Sequence, residues 1–184
     1  SAPVWAIIAL ILLILLGILI TVRPYARQRI VTFFDSTINS QSSGYQIQQS
    51  LIAIGSGGFS GRGFGQSIQK FNYLPEPIGD SIFAVQAEEF GFIGSFALII
   101  LFLFFLFKSI KISIRTEDSF GRLLVLGIAI LIVIESFMNI SSMLGIIPLS
   151  GMPLLFISHG GTALIITLAA VGIIANVSKY QKQI

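Results

Sequence analysis

The stretch FGFIGSFALIILFLFFLF, Phe90 to Phe107, runs for 18 residues without a charge. A helix needs roughly 20 apolar residues to cross about 30 Å of hydrocarbon, so this run reads as the body of a membrane span. Its upstream flank extends it to about Ile82, giving a span of 82–107. Working outward, three other stretches meet the same requirement. Trp5 to Val22 has no charge, Leu123 to Ile147 has one acid, Glu135, and Pro153 to Ser178 has His159 as its only ionisable group. The first lacks the basic n-region and A-x-A site of a signal peptide. The expected class is therefore all-α: a polytopic membrane helix bundle of four spans, 5–22, 82–107, 123–147 and 153–178, with a large loop at 23–81. Composition agrees. Of 184 residues, 54% are hydrophobic and 10% charged, where a soluble domain carries charge on about a quarter. A water-soluble globule is excluded. The absence of cysteine excludes a disulfide scaffold, a zinc ribbon and thiol catalysis. A net charge of +3 gives no case for nucleic acid.

Orientation follows from the basic residues near the span ends. Lys108, Lys111, Arg115 and Arg122 lie between the second and third spans, and Lys179 and Lys182 follow the fourth. If the spans alternate, these residues share one side, the cytoplasmic one. Segment 23–81 and the short uncharged connection Pro148 to Met152 are then outside. The outer segment nevertheless carries Arg23, Arg27, Arg29, Arg62 and Lys70. Two readings stand: Arg23, Arg27 and Arg29 anchor the chain by snorkelling to headgroups, or the cations hold an anionic lipid or a diphosphate substrate.

The outer segment alternates in character. Ile30, Val31, Phe33 and Phe34 form an apolar patch, and Asp35 to Gly44 is rich in Ser, Asn, Gln and Gly and reads as a loop. Ile47, Leu51 and Ile54 fall at helical spacing, which predicts a short helix lying at the interface or over the bundle. Gly55 to Gly65, GSGGFSGRGFG, has six glycines in eleven residues. It is either an anion-cradling loop or a flexible hinge; no Gly-Lys-Ser/Thr follows, so it is not a Walker A loop. Pro75 and Pro77 then impose an extended turn, and Asp80 or Ser81 caps the second span. Asp80 is either that cap alone or a general base where headgroups meet water. Glu88 and Glu89 lie about 12 Å further along the helix, a depth at which acids must face the bundle interior or a wet cavity. Glu135 makes a helix–helix hydrogen bond or lines a polar path. His159 reads as a packing residue about 10 Å inside the fourth span. Ser158, Gly160, Gly161 and Thr162 suggest a close helix contact, and Phe102 to Phe107 a lipid-facing surface. Asn139-Ile140-Ser141 matches a glycosylation pattern but falls within a span, so it is set aside.

Four runs carry a resemblance across nearly the whole chain: RPYARQRIVTFFD (Arg23 to Asp35), GYQIQQSLIAIGSGGFSGRGFGQSIQKFNYLPE (Gly44 to Glu76), DSIFAVQAEEFGFIG (Asp80 to Gly94) and PLSGMPLLFISHGGTALI (Pro148 to Ile165). In this order they resemble the SEDS family (shape, elongation, division and sporulation proteins), most closely its FtsW branch; the run Gln69 to Glu76 favours division over elongation. The resemblance implies the last four of ten helices, so the chain is expected to be the C-terminal part of such a membrane domain, as a fragment, a cleavage product or a split gene. It also implies a multi-pass protein of the bacterial cytoplasmic membrane that polymerises lipid II on its outer side. The family's loop aspartate falls on Asp80. Ile78, Gly79 and Ser81 depart from the usual His-Thr before it and Phe after it, and Ser158-His159-Gly160-Gly161 departs from Ser-Tyr-Gly-Gly.

The implied chemistry is an inverting glycosyl transfer that forms a β-1,4 link. It needs one base for the acceptor hydroxyl and charge neutralisation for a lipid diphosphate leaving group, not the second carboxylic acid of an inverting glycosidase. The expected base is Asp80. Candidates for substrate binding are Arg23, Arg27, Arg29, Arg62, Lys70, Gln69, Glu76 and Ser158, and candidates for a polar cavity are Glu88, Glu89 and Glu135. A divalent cation such as Mg or Mn is compatible with this chemistry, although no ligand cluster in the sequence marks one. The implied partners are lipid II and undecaprenyl-diphosphate-linked glycan, membrane lipids, a class B penicillin-binding transpeptidase and other divisome proteins. Two alternatives belong to other classes: a lipid II flippase, and a non-catalytic scaffold that binds a transpeptidase.

Overall fold

The computed structural model describes residues 43–71 and 73–180, together with Ala6, Arg29, Val31 and Phe33. The first expected span, Arg23, Arg27 and most of segment 30–42 lie outside the described residues. The chain divides into two compact units, Ser1–Tyr45 and Gln46–Ile184; the packing below belongs to the second. Among the described residues the structure is helical, with no strand. Helix α1 is Ser43–Gly57, α2 is Ile82–Arg115, α3 is Ser119–Met143 and α4 is Gly161–Val177, with single 3-10 turns at Gln69–Phe71 and Ser178–Tyr180. Three of these, α2, α3 and α4, are long and apolar enough to cross a membrane. The all-α polytopic class expected from hydropathy is the observed one.

Several element limits differ from the hydropathy reading for local reasons. Helix α2 runs two turns beyond Phe107, because Ser109 and Ser113 are buried and continue the packed face. Asp118 starts α3 early: its carboxylate accepts from the Gly121 N–H at 2.7 Å and the Phe120 N–H at 3.4 Å, a side-chain cap. Helix α3 stops at Met143, just before Gly145 with φ +68°. The largest difference is at the fourth span. Pro153 to Gly160 is not helical, and α4 begins only at Gly161. There the Leu154 N–H donates to Ser158 Oγ at 2.7 Å, and Phe156 has φ +70°. His159 is accordingly exposed in the loop, not packed within a span. The run Gly160-Gly161 makes no close helix contact among the described residues, since the space at Gly161 is open.

Helix α3 is the central element: 39% of its apolar window is buried, against 11% for α2 and for α4. At one end of the bundle, Phe83 and Phe102 of α2, Ile140 and Met143 of α3, and Leu149 and Leu154 of the following loop form one core. At the other end, Val125 and Ala129 of α3 meet Ile174 of α4, flanked by Phe105 and Ile112 of α2. That second end also carries Lys108, Lys111, Arg115, Arg122 and Lys179, since α2 ends, α3 begins and α4 ends there. The Phe-rich run is divided: Phe102 is buried and Phe105 packs on Phe156, while Phe104 and Phe107 are exposed. Helix α1 buries Ser50, Ala53 and Gly57 and half-buries Ile47 and Ile54, whereas Leu51 remains 45% exposed. Its buried face is made of small residues, and at Gly57 this lets its end lie against the Ala87 backbone of α2.

Candidate functional site

The six-glycine run is neither a free cradle nor a hinge. Helix α2 breaks at Gly91, whose φ +64° and ψ −160° belong to a region open essentially to glycine alone. At such a break the Glu88 and Glu89 carbonyls lose the N–H groups of Phe92 and Ile93, their partners in an unbroken helix. The glycine run takes both sets. The N–H groups of Arg62 and Gly63 donate to the Glu88 and Glu89 carbonyls at 3.0 and 2.9 Å. Those of Phe92 and Ile93 donate to the Gly58 and Phe59 carbonyls at 2.9 and 3.2 Å. The loop is thereby spliced into the helix, main chain against main chain. A Cβ on Gly57 would strike the Ala87 carbonyl, one on Gly61 the Glu89 carbonyl, and one on Gly91 the Gly61 nitrogen.

This splice decides where the acids of α2 go. Glu88, fully buried, accepts from Ser67 Oγ at 2.5 Å, the Ile68 N–H at 3.1 Å and the Gln69 N–H at 3.3 Å, and faces Arg62 Nε at 3.4 Å. Glu89 accepts from Lys70 Nζ at 2.6 Å, and the same ammonium donates to the Gly65 carbonyl at 3.0 Å. Two candidate cations, Arg62 and Lys70, are thus paired with two candidate cavity acids. Gln69 joins this cluster through its backbone, and its side-chain Oε1 is buried without a partner among the described residues. Arg29 lies in the other unit, in helical conformation.

Asp80 has a different setting. Glu76, with φ +47°, turns the chain so that its carbonyl accepts from the N–H groups of Gly79 and Ser81 at 3.1 and 3.2 Å. The next three carbonyls that matter are then captured in sequence. Ile78 O accepts from the His159 N–H at 2.8 Å, Gly79 O from Ser158 Oγ at 2.8 Å, and Asp80 O from Asn139 Nδ2 at 2.8 Å. Ser81 occupies the cap position of α2 but uses its hydroxyl elsewhere, donating to the Pro75 carbonyl at 2.8 Å and accepting from Gln46 Nε2 at 2.9 Å. The half-buried Asp80 therefore does not cap α2, and its carboxylate has no hydrogen bond or ion pair among the described residues. Of the acids at this end, Glu88 and Glu89 are committed to the loop, Glu76 is exposed, and Asp80 sits on a braced backbone with its oxygens unpaired among the described residues. A carboxylate so held can accept a proton from a ligand hydroxyl.

Glu135 is elsewhere. It lies half-buried on α3 and lines an apolar groove of about 740 Å³ between α3 and α4, with Leu131, Ala163 and Thr167 among its neighbours. Among the described residues no group of three or more His, Asp or Glu side chains lies close enough to share an ion; these side chains do not amount to a cation cage. Sequence reasoning missed Asn139 and Gln46 as parts of the Asp80 region, and named Ser81 there only as a cap. The available signal for Asn139 was a lone amide inside an apolar span, a placement that calls for an internal partner.

Comparison with known proteins gives concordant matches. Residues 1–183 match the family model for cell cycle proteins of the FtsW, RodA and SpoVE type. The probable peptidoglycan glycosyltransferase FtsW of Geobacter sp. (strain M18) is 44% identical over 160 residues, covering 87% of this chain and 44% of that protein. Stage V sporulation protein E of Bacillus subtilis (strain 168) is 43% identical over 159 residues, 86% of this chain and 43% of the relative. A solved structure described as "Structural coordination of polymerization and crosslinking by a peptidoglycan synthase complex" aligns with a TM-score of 0.74 and 26% identity, over 98% of this chain and 49% of that one. The chain spans less than half the length of these curated relatives.

Proposed function

This chain belongs to the FtsW, RodA and SpoVE family of cell cycle proteins, and from that membership we propose that it contributes the base-bearing half of a peptidoglycan glycosyltransferase that polymerises lipid II during division. The single observation that carries the reading is Asp80: a carboxylate on a braced main chain, with no protein partner among the described residues, while the neighbouring acids are paired. In the proposed step Asp80 takes the proton of the acceptor sugar hydroxyl. That oxygen attacks the anomeric carbon of the donor from the face opposite its diphosphate, the C–O bond to the diphosphate breaks, and the polyprenyl diphosphate leaves with the electron pair. The configuration inverts, giving the β link. Proton transfer of this kind contributes about 10² to 10⁴-fold.

The leaving group is an anion that needs cationic company, and within the unit that holds Asp80 the nearest candidates in sequence are Arg62 and Lys70. Arg62 and Lys70 share their charge with Glu88 and Glu89, and so supply less net attraction. The proposed orientation puts the Asp80 end outside, because the five described basic residues at the opposite end fit a cytoplasmic face. The proposed partner is a class B penicillin-binding transpeptidase, a pairing supported by the polymerisation-and-crosslinking description of the similar solved complex.

The test feeds lipid II to the complete polypeptide in proteoliposomes. Glycan strands should form, and Asp80→Asn should abolish them while lipid II binding persists. Full polymerisation by Asp80→Asn overturns the assignment, and lipid II scrambling without glycan favours a transporter.

A further inference from the structure

We propose that Asn139, acting together with Ser158, is a positioning residue: the two side chains hold the main chain of residues 78–80 in one conformation and so set the direction in which Asp80 presents its carboxylate. The proposal rests on the reading of Asp80 as general base. Among the described residues the Asp80 side chain makes no hydrogen bond that would orient it, so the orientation that these residues give it comes through its backbone. The orientation of each carbonyl is set by the torsions around it. Capture of three successive carbonyls by groups from α3 and from the 152–160 loop therefore leaves the Cα–Cβ bond of Asp80 one direction.

Asn139 is the keystone of that capture. It is 1% exposed, and its Nδ2 donates to Asp80 O at 2.8 Å and to Met152 O at 2.6 Å. One amide group thus ties α3 to the entry of α2 and to the loop that carries Ser158. Its Oδ1 is buried without a partner among the described residues. A leucine would fill the same space with no orphaned oxygen, so an amide at this position is there for its two donors. Ser158 completes the link, because the hydroxyl that donates to Gly79 O also accepts from the Leu154 N–H at 2.7 Å. The loop therefore cannot release Gly79 without loosening its own turn.

The test has one arm without activity and one with it, both on the complete polypeptide in proteoliposomes. The sequence given has no cysteine, so a nitroxide on Asp80→Cys reports this site, with any cysteine elsewhere in the polypeptide replaced. Its spectrum should be immobilised, and should gain a mobile component with Asn139→Ala, with Asn139→Leu, which removes the donors at similar volume, and with Ser158→Ala. Ser158→Thr, which keeps the hydroxyl, should restore immobilisation. With Asp80 intact, Asn139→Leu and Ser158→Ala should lower kcat for lipid II polymerisation about 10- to 100-fold, as expected for a misdirected catalytic group, with KM within about twofold and a lower thermal midpoint from the main-chain groups left without partners. Unchanged nitroxide mobility together with unchanged kcat overturns the proposal, as does a rise in KM at constant kcat, which marks a substrate contact. Full activity of Asp80→Asn overturns the base reading instead, while the spectroscopic arm still decides whether Asn139 and Ser158 hold the segment.

Discussion

Glu88 illustrates how a single carboxylate can be expensive to keep and more expensive to lose. Fully buried, it is tolerable because a hydroxyl, two main-chain N–H groups and a guanidinium converge on it. Removing it strands several donors at once. Glu88→Ala is therefore expected to destabilise the protein by about 2–4 kcal/mol. Arg62→Ala should cost less than about 1 kcal/mol, because its side chain is 38% exposed and solvent screens the pair. Thermal unfolding of the two variants in detergent checks the asymmetry; equal losses would mean that the ion pair, and not the convergent donors, holds the loop. Asp80 is the opposite case, a carboxylate on a braced main chain with no partner among the described residues. The contrast between two acids a few residues apart in sequence is the clearest mark of different employment.

At the scale of the element, the splice between the glycine run and α2 replaces two helical hydrogen bonds with four interchanged ones. Main chain off the helical path is tolerable at membrane depth only where its polar groups find protein partners, and these four bonds supply them. The glycines then differ in what they tolerate. Gly55→Ala, in the exposed part of α1 with open space at its Cβ, should be neutral or stabilise by up to about 1 kcal/mol. Gly58→Ala, with φ +56° but open space, should cost about 1–2 kcal/mol. Gly61→Ala meets both a φ of +79° and the Glu89 carbonyl, and should cost about 3 kcal/mol or more. Thermal midpoints of the three should rank in that order. A Gly61→Ala variant no worse than Gly58→Ala would mean that the loop does not sit against α2 in this way.

At the scale of the molecule, α3 is the hub, and α2 and α4 present wide apolar surfaces outward. The two ends of the bundle differ in charge chemistry: one gathers Lys108, Lys111, Arg115, Arg122 and Lys179, and the other carries Asp80 and the ion pairs of Glu88 and Glu89. The positive-inside rule then makes a direct prediction. In sealed right-side-out vesicles, Asp80→Cys should react with an impermeant maleimide added outside, and Ser119→Cys, exposed at the first position of α3, only after permeabilisation. The reverse pattern would put the acid end in the cytoplasm and remove the proposed chemistry from its lipid-linked substrate.

What the sequence by itself determined was the class and the material of the sites. Length and hydropathy are properties of contiguous residues, so the apolar runs of α2, α3 and α4 announced themselves, as did the polar loop before them and Asp80 at its end. Limits that hydropathy could not see were decided by specific atoms, such as the Asp118 cap and the Ser158 turn that delays α4 to Gly161. Tertiary structure alone decided the rest: that the glycine run would be spliced into a broken helix, that Glu88 and Glu89 would serve that splice, and that Asn139, set aside as a stray pattern inside a span, would reach Asp80 across 59 residues of chain. The physical reason is that a hydrogen bond recognises a donor and an acceptor at about 3 Å, however far apart they stand in sequence. Composition and periodicity record only neighbours along the chain.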